Sequence, residues 1–136
     1  MSRAIIKIKR ACEKHLTLLN PNLTTAYEGV NFTPPETMYQ VVQFVPISPE
    51  NPTMGDGYFR ERVDVQIFVV GVSGKGTTDA FTRAELIAEH FKRGTTLIED
   101  TATLKILKTP RISGSMISEG RVVVPVMFSV VTDVFS

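Results

Sequence analysis

Glu61-Arg62-Val63-Asp64-Val65-Gln66-Ile67-Phe68-Val69-Val70-Gly71-Val72 is the stretch whose reading decides the fold. Val63, Val65, Ile67 and Val69 alternate with Arg62, Asp64 and Gln66. That two-residue period belongs to a strand with one buried face, and β-branched side chains suit a pleated surface. Phe68 and Val70 put apolar groups on the second face as well. Gly71, Gly74 and Gly76 then break the run.

Working outward, the period changes from two to 3.6. Thr77 or Thr78 can cap a helix that runs to about Arg93, with Gly94 in the C′ position. Its apolar arc is Ala80, Phe81, Ala84, Ile87, Ala88 and Phe91, and Leu86 lies nearly opposite, among Asp79, Thr82, Arg83, Glu89, His90 and Arg93. A short strand is expected over Thr103–Lys108, a connection over Pro110–Gly120, and a long strand over Arg121–Thr132. Pro125 has no backbone donor, which predicts an edge or a bulge in that last strand.

Upstream, Tyr39–Val45 reads as a strand. Pro46–Gly57 holds three prolines and two glycines and reads as a long loop or arm. Residues 3–19 form an amphipathic helix with Ile5, Ile8, Ala11, Cys12, His15, Leu16, Leu18 and Leu19 on one arc. Asn20-Pro21 stops it, because the residue before proline disfavours the α region. The order of elements is that of an α+β fold: one domain spanning residues 1–136, a mostly antiparallel sheet packed against two main helices.

Composition narrows the function. With 43% apolar and 21% charged residues, the chain is globular and not disordered. A chain of 136 residues buries about two-thirds of its unfolded surface, enough for a core without disulfides or metal. A net charge of +1 gives no general affinity for nucleic acid. Arg3, Lys7, Lys9, Arg10 and Lys14 against Glu13 make the first fourteen residues +4, leaving −3 elsewhere. Such a run is usually the wet side of an amphipathic helix, and no aromatic residues interleave with it. Cys12 is the only cysteine, so a reducing compartment is expected. Lys7, Lys9 and Arg10 interrupt any apolar leader, and no apolar run is long enough to span a membrane.

The chemical motifs fail one by one. Gly71-Val72-Ser73-Gly74-Lys75-Gly76-Thr77-Thr78 sits between strand and helix, where a phosphate loop would. The glycine required upstream of Gly74-Lys75 falls on Val69, and Gly76 stands where a hydroxyl is needed, so a plain turn is expected. Cys12 and His15 are spaced i, i+3, but His90 is the only other histidine and zinc sites need three or four ligands. A buried thiol acting as a small hydrophobe is the expected state of Cys12. Neither histidine has a nucleophile in triad context. Glu99-Asp100 reads as a solvated turn. No cofactor, metal or catalytic residue is expected, and the chain is read as a non-enzyme.

Several features together resemble the phage tail terminator-like family of long-tailed bacteriophages. They are the N-terminal helix, the Pro-rich loop before a Val-rich strand, and a Gly turn into a helix ending Ala88-Glu89-His90-Phe91-Lys92-Arg93-Gly94. Leu104–Leu107, Thr109-Pro110 and Val122-Val123-Val124-Pro125-Val126 follow in order. The resemblance covers nearly the whole chain. It implies a virion protein assembled in the host bacterial cytoplasm: a ring, typically hexameric, that caps the tail tube and ends its polymerisation. Its partners would be itself, the tail tube protein and the head connector or neck, with DNA passing through the ring without sequence recognition. A related neck or head-completion protein would share these patterns, and a small ligand-binding α+β domain is the alternative of another class. Apolar residues on both faces of the strands fit assembly, since two helices cover only one face of a small sheet. Subunit or partner contacts are expected at Ile6, Arg10, Pro49, Met54, Tyr58, Leu86 and His90.

Overall fold

The computed structural model describes residues 3–52 and 57–135. Helix α1 spans Ile5–Thr17, strands β1, β2 and β3 span Thr24–Ala26, Tyr39–Glu50 and Tyr58–Val70, and helix α2 spans Thr78–His90. Strands β4 (Thr96–Glu99), β5 (Ala102–Ile106), β6 (Arg111–Ile112), β7 (Met116–Ser118) and β8 (Arg121–Phe135) follow. The fold is α+β, with a curled sheet in the order β1-β2-β3-β8-β5-β4. Among the described residues, only β1–β2 is parallel. Strand β8 is the spine. It pairs with β3 along its length, and its other side is shared in turn by β7, β6 and β5.

Both helices lie on one face of this sheet. There Ile8 and Leu16 of α1 and Ala84 and Ile87 of α2, with Phe91 just beyond it, meet Val63, Val65, Ile67, Val124, Val126 and Phe128 in one core. Each large side chain among them contributes about 1.5–3 kcal/mol by leaving water. The rings of Phe91 and Phe128 stack at 4.5 Å. The helix ends are tied by a second stack: the imidazoles of His15 and His90 lie 3.8 Å apart and nearly parallel. Each ring donates from Nε2 to the other residue's carbonyl oxygen, at 2.8 and 2.5 Å.

Three expectations need correction. The segment 46–57 is not a loop from its start, because β2 continues to Glu50 with Pro46 opposite Val63 and Ile47 opposite Arg62, while residues 53–56 lie outside the described residues. Beyond Val41, β2 has no partner on its outer side among the described residues, and an edge strand tolerates prolines. Pro125 occupies neither an edge nor a bulge, since the β3–β8 register is unbroken from Tyr58↔Phe135 to Val70↔Val123. The Pro125 carbonyl accepts from the Ser113 N–H at 2.9 Å. A strand residue's N and O point to the same side, so the missing donor faces the gap between β6 and β7, where the neighbouring chain leaves the ladder. Lastly, α1 stops at Thr17 in a tightened final turn, which turns Leu18 outward at 70% exposure.

Candidate functional site

The charges of α1 are resolved first. Arg3 forms a two-pronged pair with Glu61, 2.7 Å on each arm. The Glu61 carboxylate is fully buried and also accepts from the Ala4 N–H at 3.4 Å, so β3 caps a helix that has no side-chain cap of its own. The hydrogen bond from Arg3 holds the Glu61 carboxyl below the usual carboxylate range. Lys7 meets Asp100 at 3.8 Å, Lys9 meets Glu13 at 2.9 Å and Lys14 meets Glu99 at 2.8 Å. Glu99 is therefore a docking point for α1 as well as the end of a hairpin. Among the described residues, Arg10 is the one cation of this set without an acidic partner. The fold neutralises the basic run, which leaves little field for a polyanion.

Burial pushes the Cys12 thiol up to about 12, so it remains protonated at neutral pH. No three His, Cys, Asp or Glu side chains converge among the described residues. Ser73–Thr77 is an exposed turn between an antiparallel strand and α2, with Gly74 and Gly76 at positive φ. No helix among the described residues is long and apolar enough to cross a membrane.

What remains is surface. The sheet face away from the helices carries Val45, Phe68, Met127 and Val131, interleaved with polar rows. One row joins Arg62, Asp64 and Ser129: the Ser129 hydroxyl donates to Asp64 at 2.6 Å, and Arg62 lies 3.6 Å from the same carboxylate. At one end Tyr58 donates to Asp133 at 2.7 Å, Arg60 pairs with Asp133 at 3.0 Å, and the Tyr58 ring stacks on Phe135 at 4.9 Å. An open concavity of about 530 Å³ lies there, lined by Arg60, Lys105, Leu107, Val131, Asp133 and Phe135.

The expected contact residues fall at separate places. Ile6 is 63% exposed on α1, with Arg10 exposed one turn further along. Pro49 and Tyr58 stand near each other's strand ends, on the β2–β3 hairpin, and Met54 lies outside the described residues. Leu86 is 40% exposed and lines an apolar groove of about 330 Å³ with Pro21, Met38 and Val72. His90 is turned inward to its stack with His15.

One residue beside this groove departs from its helical phase. Arg83 belongs by spacing to the wet side of α2, yet it is only 2% exposed. The segment after α1 and strand β2 close over it: Nη1 donates to the Pro21 carbonyl at 2.5 Å and Nε to Gln40 at 3.3 Å. Gln40, itself buried, donates onward to Thr25 at 3.0 Å. Nη2 has no partner among the described residues, and burial lowers the pKa of the guanidinium. The phase of a helix could not have shown that a distant Pro21 would cover it.

A family model of the phage tail terminator protein matches residues 7–129, from α1 into β8. The chain belongs to the phage tail terminator family. The match takes in most of α1, the whole of α2 and all or most of every strand, so the shared unit is the fold described above. Among solved structures, a chain carrying no functional name superposes with a TM-score of 0.75 at 18% identity, covering 97% of this chain and 96% of that one. That likeness concerns the fold. No curated protein shows detectable sequence similarity to this chain. Family membership makes the chain a structural component of a phage tail.

Proposed function

We propose that the chain assembles into a ring, of six subunits, that caps the finished tail tube, ends its polymerisation and offers the surface joining the tail to the head connector. Assembly would take place in the host bacterial cytoplasm, and DNA would pass through the ring without being read. The observation that supports this most directly is the uneven clothing of the sheet. One face is closed by α1 and α2, whereas the other is bare and holds Val45, Leu107 and Phe135 in contact with water. A stable isolated domain rarely leaves apolar groups of this size on a continuous face, and subunit contact is the usual cover. The pairing of most cations of the N-terminal segment within the subunit fits a role in which DNA is a passenger and not a ligand.

The test is to mix the purified chain with tail tube protein during polymerisation and image the products. Tubes that stop growing and carry one ring at an end are the expected result. Rings that ignore the tube but bind the neck would favour a head-completion role instead. Saturable binding of a small molecule by a chain that stays monomeric would favour the ligand-binding alternative.

A further inference from the structure

Among the described residues, Arg83 is a buried cation with no carboxylate partner, and one of its nitrogens makes no hydrogen bond. Buried charges are ordinarily paired, because desolvation without compensation is costly. The groove beside it is floored by Pro21, Met38, Val72 and Leu86 and has Thr82 and Asp79 at its rim. Asp79 is exposed and makes no ion pair with Arg83, although it lies four residues before it on the same helix. The groove thus offers apolar walls beside a positive charge that lies sealed under Pro21 and Gln40 and has no carboxylate partner among the described residues. Its complement is an apolar side chain with an acid close by in sequence.

The same chain carries that complement elsewhere. The β7–β8 hairpin projects Ile117 at 74% exposure and Met116 at 49%, and Glu119 follows at the exposed turn. Glu119 has no ion-pair partner among the described residues. Its backbone is held in the left-handed region at φ 50, and the Ser73 hydroxyl donates to the neighbouring Gly120 carbonyl at 3.3 Å, so the turn is fixed in shape. Hairpin and groove lie at the same end of the sheet as two separate patches, with Ser73 and Arg121 tying the root of the hairpin to the chain beside the groove. Strand β7 pairs with β8 on the side away from β3, whereas Pro21, Met38 and Val72 adjoin β1, β2 and β3.

We infer that the hairpin of one copy docks in the groove of the next, with Ile117 between Leu86, Met38 and Val72 and the Glu119 carboxylate above the lidded Arg83, attracted by its charge without touching it. Two different patches make a head-to-tail contact, and repetition of such a contact by rotation closes a ring. Asp79 opposes Glu119 only from the solvated rim, where screening weakens it, while the charge of Arg83 is buried. The contact rests on the ring reading above and names its two surfaces.

A disulfide trap tests it. In the full chain, Leu86→Cys and Ile117→Cys are combined and oxidised, with the buried Cys12 as a silent background. A ladder from dimer up to the closed ring on a non-reducing gel is expected from the double variant. Each single variant should give dimers at most. Glu119→Arg should weaken association at least tenfold while leaving the melting curve of the subunit in place. Rings visible by native mass but without the ladder would overturn this contact and leave the ring reading standing. A chain that stays monomeric at high concentration and beside tube protein would overturn both.

Discussion

The two faces of the sheet are built by one set of strands and obey different rules. On the covered face, polar side chains are few and each supports the fold. Glu61 holds the N-terminus of α1, and Gln40 links Arg83 to Thr25. On the bare face, Arg62, Asp64, Ser129, Arg60 and Asp133 pair with one another among half-exposed valines. Alternation along β3 and β8 sends neighbouring residues to opposite fates. One face therefore sets the stability of the subunit, and the other stays open to solvent.

The largest break in that comparison should come from Phe91→Ala. Phe91 is fully buried against Phe128 and the His15–His90 stack, so its loss should cost about 3–5 kcal/mol. Phe135→Ala on the bare face, where the side chain is mostly exposed, should change subunit stability by less than about 0.5 kcal/mol. Urea unfolding of both variants under monomeric conditions measures the contrast.

Next in size is Glu61→Ala, which strips Arg3 and the Ala4 N–H of their acceptor and should cost about 1–3 kcal/mol. Asp64→Asn keeps a hydrogen-bonding oxygen in a half-exposed ion pair and should cost at most about 1 kcal/mol. Similar losses from the two would show that the faces are energetically alike.

Acid should act through the covered face in two stages. Burial lowers the His15 pKa below 6.5, so the unfolded chain binds the first proton. Stability is then full above about pH 6.5 and falls as pH drops through the folded value. Glu61 is lowered too, so a further loss begins below its ordinary value of 4.5. His15→Gln should flatten the first stage and keep the second, as read from melting temperature against pH.

The smallest effect on the subunit is expected from Leu86→Arg. With Leu86 outside the core, its melting temperature should scarcely move, by an equivalent of less than about 0.5 kcal/mol. The same change places a charge in the apolar groove beside a buried arginine, and rings should fail to form. Native mass and a melting curve on one sample decide it.

Much of this division was legible in the sequence. The alternation of Val63, Val65, Ile67 and Val69 revealed β3, and the helical arcs placed Ile8, Leu16, Ala84 and Ile87 in the core. Strand parity puts Glu61 on the covered face with Val63, a signal available from spacing alone. Other features were out of reach because they depend on distant partners. Prolines at 46 and 49 spoke for a loop until β2 proved to be an edge there. Strands β4, β6 and β7 are short pieces whose order comes from pairing with β5 or β8. Arg83 looked solvated because no local rule foretells a lid formed by Pro21, and His90 looked outward until His15 met it.

The central claim is that the bare face and the groove of one subunit are covered by its neighbours. Multi-angle light scattering or native mass spectrometry of the purified 15.1 kDa chain, followed over rising concentration and then with tail tube protein, tests it most directly. The expected result is a closed particle of six chains that survives dilution better when the tube is present. A single 15.1 kDa species under every condition would contradict the account.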